Sequence, residues 1–253
     1  MIPFFRKIRK KMADDNKPMK YLRYAIGEIV LVVIGILIAL QINNWNENKK
    51  IKQGTRDYLE RLLIETQNNI DKADKEIEIE ESQIKASKKI LDMFNQERNN
   101  LESKTIDSLM SIVYIANSID INLGIFTEGI NGEKIGLINS DKLRTSLYSF
   151  IGFVDDMKIG EQLWRNDLHG SFEEFLFENF NYRNMDNHYG KYKEKIGVTH
   201  FKKFDNLSVL DNMKLENYID NRFYGNNQQL EMYQNLSLRL GNIEKLIKKE
   251  LNK

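Results

Sequence analysis

One carboxylate stands where carboxylates are expensive. Glu28 lies near the start of residues 24–42, YAIGEIVLVVIGILIALQI, whose only other strongly polar side chain is Gln41. An acid placed in hydrocarbon needs a compensating partner, so it marks a candidate site by its position alone. Stepping about 100° per residue puts Tyr21, Glu28, Val32, Gly35, Ala39 and Asn46 within about 40° of one line along a helix. Gly35 and Ala39 form a small-xxx-small pair, which lets the backbone of a second helix approach closely. Three uses of Glu28 stay open: a contact with a partner helix through the Glu28, Gly35, Ala39 face, the carriage of protons, or a place at the headgroup level beside Arg23.

Other residue types that do chemistry are present without the spacing that chemistry needs. His169, His188 and His200 have no metal-ligand spacing among themselves, and His169 with Glu173 makes only a two-ligand half site. Gly170-Ser171 lacks the second glycine and the preceding strand of a nucleophile elbow. Gly124, Gly129, Gly132 and Gly136 match neither the Walker pattern nor the dinucleotide fingerprint. Arg61 with Glu65 and Lys72 with Glu76 have the four-residue spacing of helical charge pairs, and the run from 76 to 81 reads as a solvated face. No catalytic residue, cofactor site or metal site follows from the sequence, and the chain is expected not to be an enzyme.

The element that positions Glu28 is the apolar stretch itself. At about 1.5 Å per residue it is long enough to cross a hydrocarbon core of about 30 Å. The hydrophobic run exceeds the ~7–15 residues of a signal-peptide core and lacks a small-x-small cleavage pattern, which favours an uncleaved anchor. Eight basic residues precede it, from Arg6 to Arg23, against four in the next fifteen positions, Lys49, Lys50, Lys52 and Arg56. That imbalance predicts a cytoplasmic N-terminus and an external C-terminal domain. In residues 1–12, Phe4, Phe5 and Ile8 recur at helical spacing among five basic residues, a pattern for a helix lying in the headgroup layer. Trp45 falls where an interfacial aromatic belongs.

The chain has 253 residues, a net charge of +1, no cysteine and two prolines, Pro3 and Pro18. Near-neutral charge argues against a nucleic-acid surface, and the missing cysteines exclude disulfides and thiolate metal sites. After Pro18 nothing forbids helix, and Lys, Glu, Leu and Ile favour it. From 59 onward Leu63, Ile70, Ile77, Ile84 and Leu91 recur every seven residues, while the intervening Leu59, Thr66, Ala73, Glu80, Ser87 and Phe94 are half polar. Further helices are predicted over 105–118, 141–157 with Ser140 as its cap, 160–180, 211–224 closed by Gly225, and 228–251. The glycine-rich stretch 124–136 reads as an irregular connection. Residues 181–207 mix polar and aromatic side chains without period, the pattern of a long loop that contacts a partner or ligand.

The run YAIGEIVLVVIGILIALQINNWNE, preceded by FFRKIRKK, resembles the N-terminal signature of an uncharacterised family of short single-pass membrane proteins common in Bacteroidota. The stretch GLINSDKLR, residues 136–144, is similar to a recurring element of that family. The resemblance implies an inner-membrane protein of an envelope with a periplasm, and brings no activity and no catalytic residues. The fold expected is all-α: a cytoplasmic basic segment over 1–20, one transmembrane helix over 21–45, and a periplasmic domain over 46–253. In that domain a long helix leads into an antiparallel bundle. Its expected partners are the lipid bilayer and either a second copy or another envelope membrane protein, and its expected role is accessory or scaffolding. Ligand sensing by the external domain and an ion-coupled subunit using Glu28 are the alternatives.

Overall fold

The structure, a computed structural model, describes residues 18–116 and 118–252. Among them every regular element is helical, so the fold is all-α. Phe4, Phe5 and Ile8, with the interfacial helix expected of them, lie outside the described residues. The first helix, α1, runs over Pro18–Phe94. Pro18 opens it, where a missing N–H costs nothing, and no proline follows to break it. The chain divides into two units, Met1–Asp57 and Tyr58–Lys253, each containing part of α1.

In the first unit α1 is aliphatic and uncovered over residues 29–40: Ile29, Leu31 and Val32 are 64%, 71% and 56% exposed. An eighteen-residue stretch of it reaches a mean hydropathy of 2.6, so this helix is long and apolar enough to cross a membrane. Trp45 is exposed, with Lys49 Nζ 5.8 Å from its ring centre.

The second unit adds α2 (Ser103–Val113), α3 (Gly124–Asn131), α4 (Asp141–Asp167), α5 (Glu173–Asn179), α6 (Tyr182–Tyr189), α7 (Lys193–Ile196) and α8 (Met213–Leu251). Three long helices form its frame. Gln67 bonds Glu244, Asp74 accepts from Ser237, and Gln83 accepts from Asn226, so α8 runs antiparallel to α1. Tyr233 meets Glu161 and Arg239 lies over Phe153, so α8 is antiparallel to α4 as well. Two apolar clusters fill the frame. One joins Leu62, Phe126, Leu147, Phe150, Leu240 and Ile247. The other joins Ile90, Met110, Phe172, Phe175, Leu176 and Ile219 at the opposite end.

Two helices pointing the same way need a return path between them, and residues 114–116 and 118–123 supply it without a helix. Ile119 and Ile121 turn inward while Asp120 and Asn122 turn outward, the period-2 habit of an extended chain. An extended segment has no intrasegment partners for its backbone, so side chains must supply them. Gln83 donates to Ile115 O (2.8 Å), Lys72 to Asp120 O (2.5 Å), and Asn69 both donates to and accepts from the Asn122 backbone (2.7 and 3.0 Å). From α4, Glu161 accepts the Ile119 N–H at 3.0 Å. Glu65 ends the ladder by accepting the N–H groups of Ile125 and Phe126 at the start of α3, where an anion also meets the helix dipole.

Along the seam of α1 the two heptad series are not equally covered. The half-polar series is the buried one, with Thr66, Ala73, Glu80 and Ser87 all under 4% exposed, while Leu63, Ile70, Ile77, Ile84 and Leu91 are half-buried flanks. Other boundaries also move. Residues 124–131 and 134–137 are helical rather than irregular, α4 continues through Gly160, and α8 continues through Gly225. The Ser140 hydroxyl accepts the Leu143 N–H at 3.3 Å, the cap the sequence predicts.

Removing Glu65 strands two backbone donors at α3. The variant Glu65→Ala is expected to lose about 2 kcal/mol, a fall in Tm of roughly 5 °C for a unit of this size. Thermal melting of the full chain in detergent followed by circular dichroism checks it, and an unchanged Tm would remove the cap from the account.

Candidate functional site

Between the two apolar clusters lies a layer of buried and half-buried polar side chains. Helix α1 contributes Glu76, Glu80 and Gln83, α4 contributes Glu161 and Trp164, and α8 contributes Arg222, Asn226, Gln229 and Tyr233. Such groups are retained inside a protein only when they are partnered, because desolvating them costs more than burying hydrocarbon returns.

Gln83 is the hub. Its Oε1 accepts from Asn226 Nδ2 at 2.9 Å and lies 3.4 Å from Arg222 Nη2, while its Nε2 serves the crossover. Arg222 Nη2 also donates to Val113 O at 3.3 Å, and its guanidinium stacks 5.0 Å from the centre of the Trp164 ring. The Tyr233 hydroxyl donates to Glu161 Oε1 at 2.6 Å, the oxygen that already accepts from Ile119. Trp164 fits because residue 225 is glycine: a Cβ there would fall inside the indole ring. That close approach, rather than chain reversal, is what Gly225 provides.

Electrostatically the layer is acid-rich. Burial pushes the Glu80 carboxyl up to about 7, with Glu76 and Glu161 adding to the rise and Arg222 opposing it. Burial also raises Glu76, with Glu161 contributing. One oxygen each of Glu76 and Glu80, together with Asn226 Oδ1 and Trp164 Nε1, is buried without a hydrogen-bond partner among the described residues. Beside them a cleft of about 370 Å³ opens between α4 and α8, walled by Leu163 and Trp164 on one side and by Gln228, Gln229 and Met232 on the other. The layer can take up and release a proton near neutrality, and the cleft offers an aromatic wall and two amides to a small polar molecule.

The sequence-predicted residues fall elsewhere. Glu28 is half-buried, whereas Gly35 and Ala39 are exposed; α1 is helical through all three, so they share a face, and a Cβ on Gly35 would meet open space. His169 and Glu173 come together, Nδ1 to Oε2 at 3.2 Å, with the Tyr114 hydroxyl donating to Glu173 Oε1 at 2.5 Å. That arrangement ties α2 to the turn before α5. Among the described residues no group of three His, Cys, Asp or Glu is placed to hold a metal ion. The run 76–81 is not a wholly solvated face, since Glu80 is 1% exposed. Leu163 is 66% exposed because the buried stripe of α4 runs through Phe150, Val154, Met157 and Glu161.

The polar layer gives no local signal in sequence. Its members lie on three helices, and Glu80 looks like its exposed neighbours Glu78 and Glu81 until the crossover is placed.

The family model of a family of unknown function, DUF6090, matches residues 28–154, and the chain belongs to that family. No curated protein and no solved structure matches the chain. The matched span runs from Glu28 through α1, the crossover and α3 to Val154 in α4, and thus contains every rung of the backbone ladder that α1 supplies, with Glu161 lying just beyond it.

Glu80 takes up a proton on folding, because its folded pKa of about 7 lies above the ordinary 4.5. Its stabilising contribution is complete below the unfolded value and is lost as pH rises through the folded one. Stability is therefore expected to fall between pH 5 and pH 8. In Glu80→Gln that slope flattens and stability at pH 8 rises by about 2 kcal/mol, with a residual slope from Glu76 and Asp107, whose carboxyls burial also raises. Urea melts of both proteins at the two pH values decide it; equal slopes would clear Glu80 of the effect.

Proposed function

We propose that this member of the family is a membrane-anchored, non-enzymatic accessory or scaffolding protein of the cell envelope. The observation that carries this reading is the uncovered aliphatic surface of α1 between Ile29 and Leu40, apolar on every side. Each such side chain gains about 1.5–3 kcal/mol on leaving water, and a bilayer core accepts all faces of a helix at once. The excess of basic residues before the span supports a cytoplasmic N-terminus, a bacterial inner-membrane location and a periplasmic bundle. Exposed Gly35 and Ala39 beside Glu28 support docking of a second copy or another envelope membrane protein on that face.

A second reading, ligand sensing by the bundle, draws on one observation of its own: the cleft beside Trp164 adjoins a buried polar layer with unpartnered acceptors. A small molecule seated there would raise the melting temperature and alter Trp164 emission. A broad screen without either response leaves scaffolding alone.

Topology is directly testable because the chain has no native cysteine. In spheroplasts an impermeant maleimide is expected to label Lys75→Cys, at an exposed position of α1, and to spare Lys10→Cys; the reverse pattern would overturn the orientation. On the docking face, Glu28→Leu is expected to weaken co-purification of the partner or second copy, and Glu28→Gln, which keeps a hydrogen-bonding group, to preserve it. Equal recovery of all three forms would rule out that face.

A further inference from the structure

We propose that residues 189–204 form a docking surface for an anionic lipid bilayer, which takes their exposed aromatic rings into its headgroup layer amid a cluster of lysines. The segment is YGKYKEKIGVTHFKKF, five lysines against one glutamate, in a chain whose net charge is only +1. All five lysines are exposed. Between them stand apolar and aromatic side chains that water should disfavour: Tyr192 is 62% exposed, Val198 66% and Phe201 70%. Lys191 and Lys195 flank the Tyr192 ring at 5.7 and 5.9 Å.

The outward display is built, because the segment is pinned from beneath. The Arg183 guanidinium donates to Ile196 O at 2.7 Å, and Asn184 Nδ2 to Phe204 O at 3.5 Å. Asn181 Nδ2 donates to the hydroxyl of Thr199, itself 7% exposed, at 3.2 Å. Asn206 carries Asn181 in turn and bonds the buried Asp107 at 2.5 Å. Gly197, at φ +67°, joins α7 to Val198 in a conformation that disfavours any side chain. Thr199 is thereby turned inward while Val198 and Phe201 on either side are left facing out.

Rings and aliphatic chains beside lysines match the chemistry of a phospholipid interface, where the cations meet phosphate and the rings lie at the acyl boundary. An acidic protein would satisfy the lysines and leave Val198 and Phe201 without an apolar counterpart. The polyanion of opposite charge that also offers an apolar phase is a membrane of acidic lipid.

The test uses the full chain in zwitterionic nanodiscs, whose recovery reports separately on the α1 anchor. Co-flotation is measured with added phosphatidylglycerol or phosphatidylcholine vesicles. Binding to the phosphatidylglycerol vesicles is expected, falling roughly 30-fold in Lys202→Gln/Lys203→Gln and comparably in Val198→Ser/Phe201→Ser. Both pairs of sites are exposed, so an unchanged Tm is expected to show that the fold is intact. Equal flotation with both lipids, no flotation from well-formed nanodiscs, or indifference to the apolar pair would overturn the proposal. Full competition by polyglutamate in place of lipid would assign the surface to an acidic macromolecule and overturn it likewise.

Discussion

The extended crossover between α2 and α3 has to be paid in hydrogen bonds, and the rest of the bundle is arranged around that requirement. This chain passes along the interior side of α1 with no helix of its own, and buried backbone groups left unmatched cost about 1–3 kcal/mol each. Glu65, Asn69, Lys72 and Gln83 answer it from α1, and Glu161 answers it from α4. Because their spacing on α1 is fixed by the helix, the ladder also fixes the register of the crossover. Sliding the crossover by one residue would turn Ile119 and Ile121 out of the core and Asp120 into it.

The same requirement accounts for the acidic layer. Glu161 is held by Tyr233 and Ile119, so its Oε1 is hydrogen-bonded on the spot. Glu80 sits one turn of α1 from Gln83 and faces Arg222 across the layer, yet burial outweighs that attraction, which is why its carboxyl rises rather than falls. A layer of this kind adds little net stability over a hydrocarbon core of the same shape. What it does is separate two apolar clusters that would otherwise merge, and it sets α8 against α1 in one alignment through Gln83 and Asn226.

Helices were legible in the sequence wherever an apolar stripe faces a core. Ile106, Leu109, Met110 and Val113 in α2, Leu143, Leu147 and Phe150 in α4, and Leu236, Leu240 and Ile243 in α8 are all buried as their spacing predicts. Legibility fails where polar groups do the inward-facing work. Reading the charge run 76–81 as a solvated face assigns Glu80 to solvent, although the core side of α1 runs through it as it does through Thr66 and Ser87. The extended crossover did leave a mark, the alternation Ile119-Asp120-Ile121-Asn122, which a helical reading of this region passes over. Gly225 misleads for a related reason: glycine signals a helix end when φ must be positive, and here it answers the bulk of Trp164 within a continuing helix. The layer that gathers Glu80, Glu161 and Arg222 depends on all three long helices being placed at once, so no local pattern announces it.

Polar and apolar groups in the bundle are thus partly exchanged relative to the usual distribution. Glutamates, amides and an arginine are spent inside on backbone and register, whereas Leu163, Phe177, Val198, Phe201 and Leu238 remain outside, each at least 65% exposed. Inward polar groups committed to holding the crossover are not free to rearrange around a reacting substrate, since each movement would strand a backbone partner. Outward apolar groups carry no such commitment and gain from being covered. A domain built this way offers its surface more readily than its interior, which is the physical reason to look for what the bundle binds among its exposed rings and lysines before looking for a reaction in its buried acids.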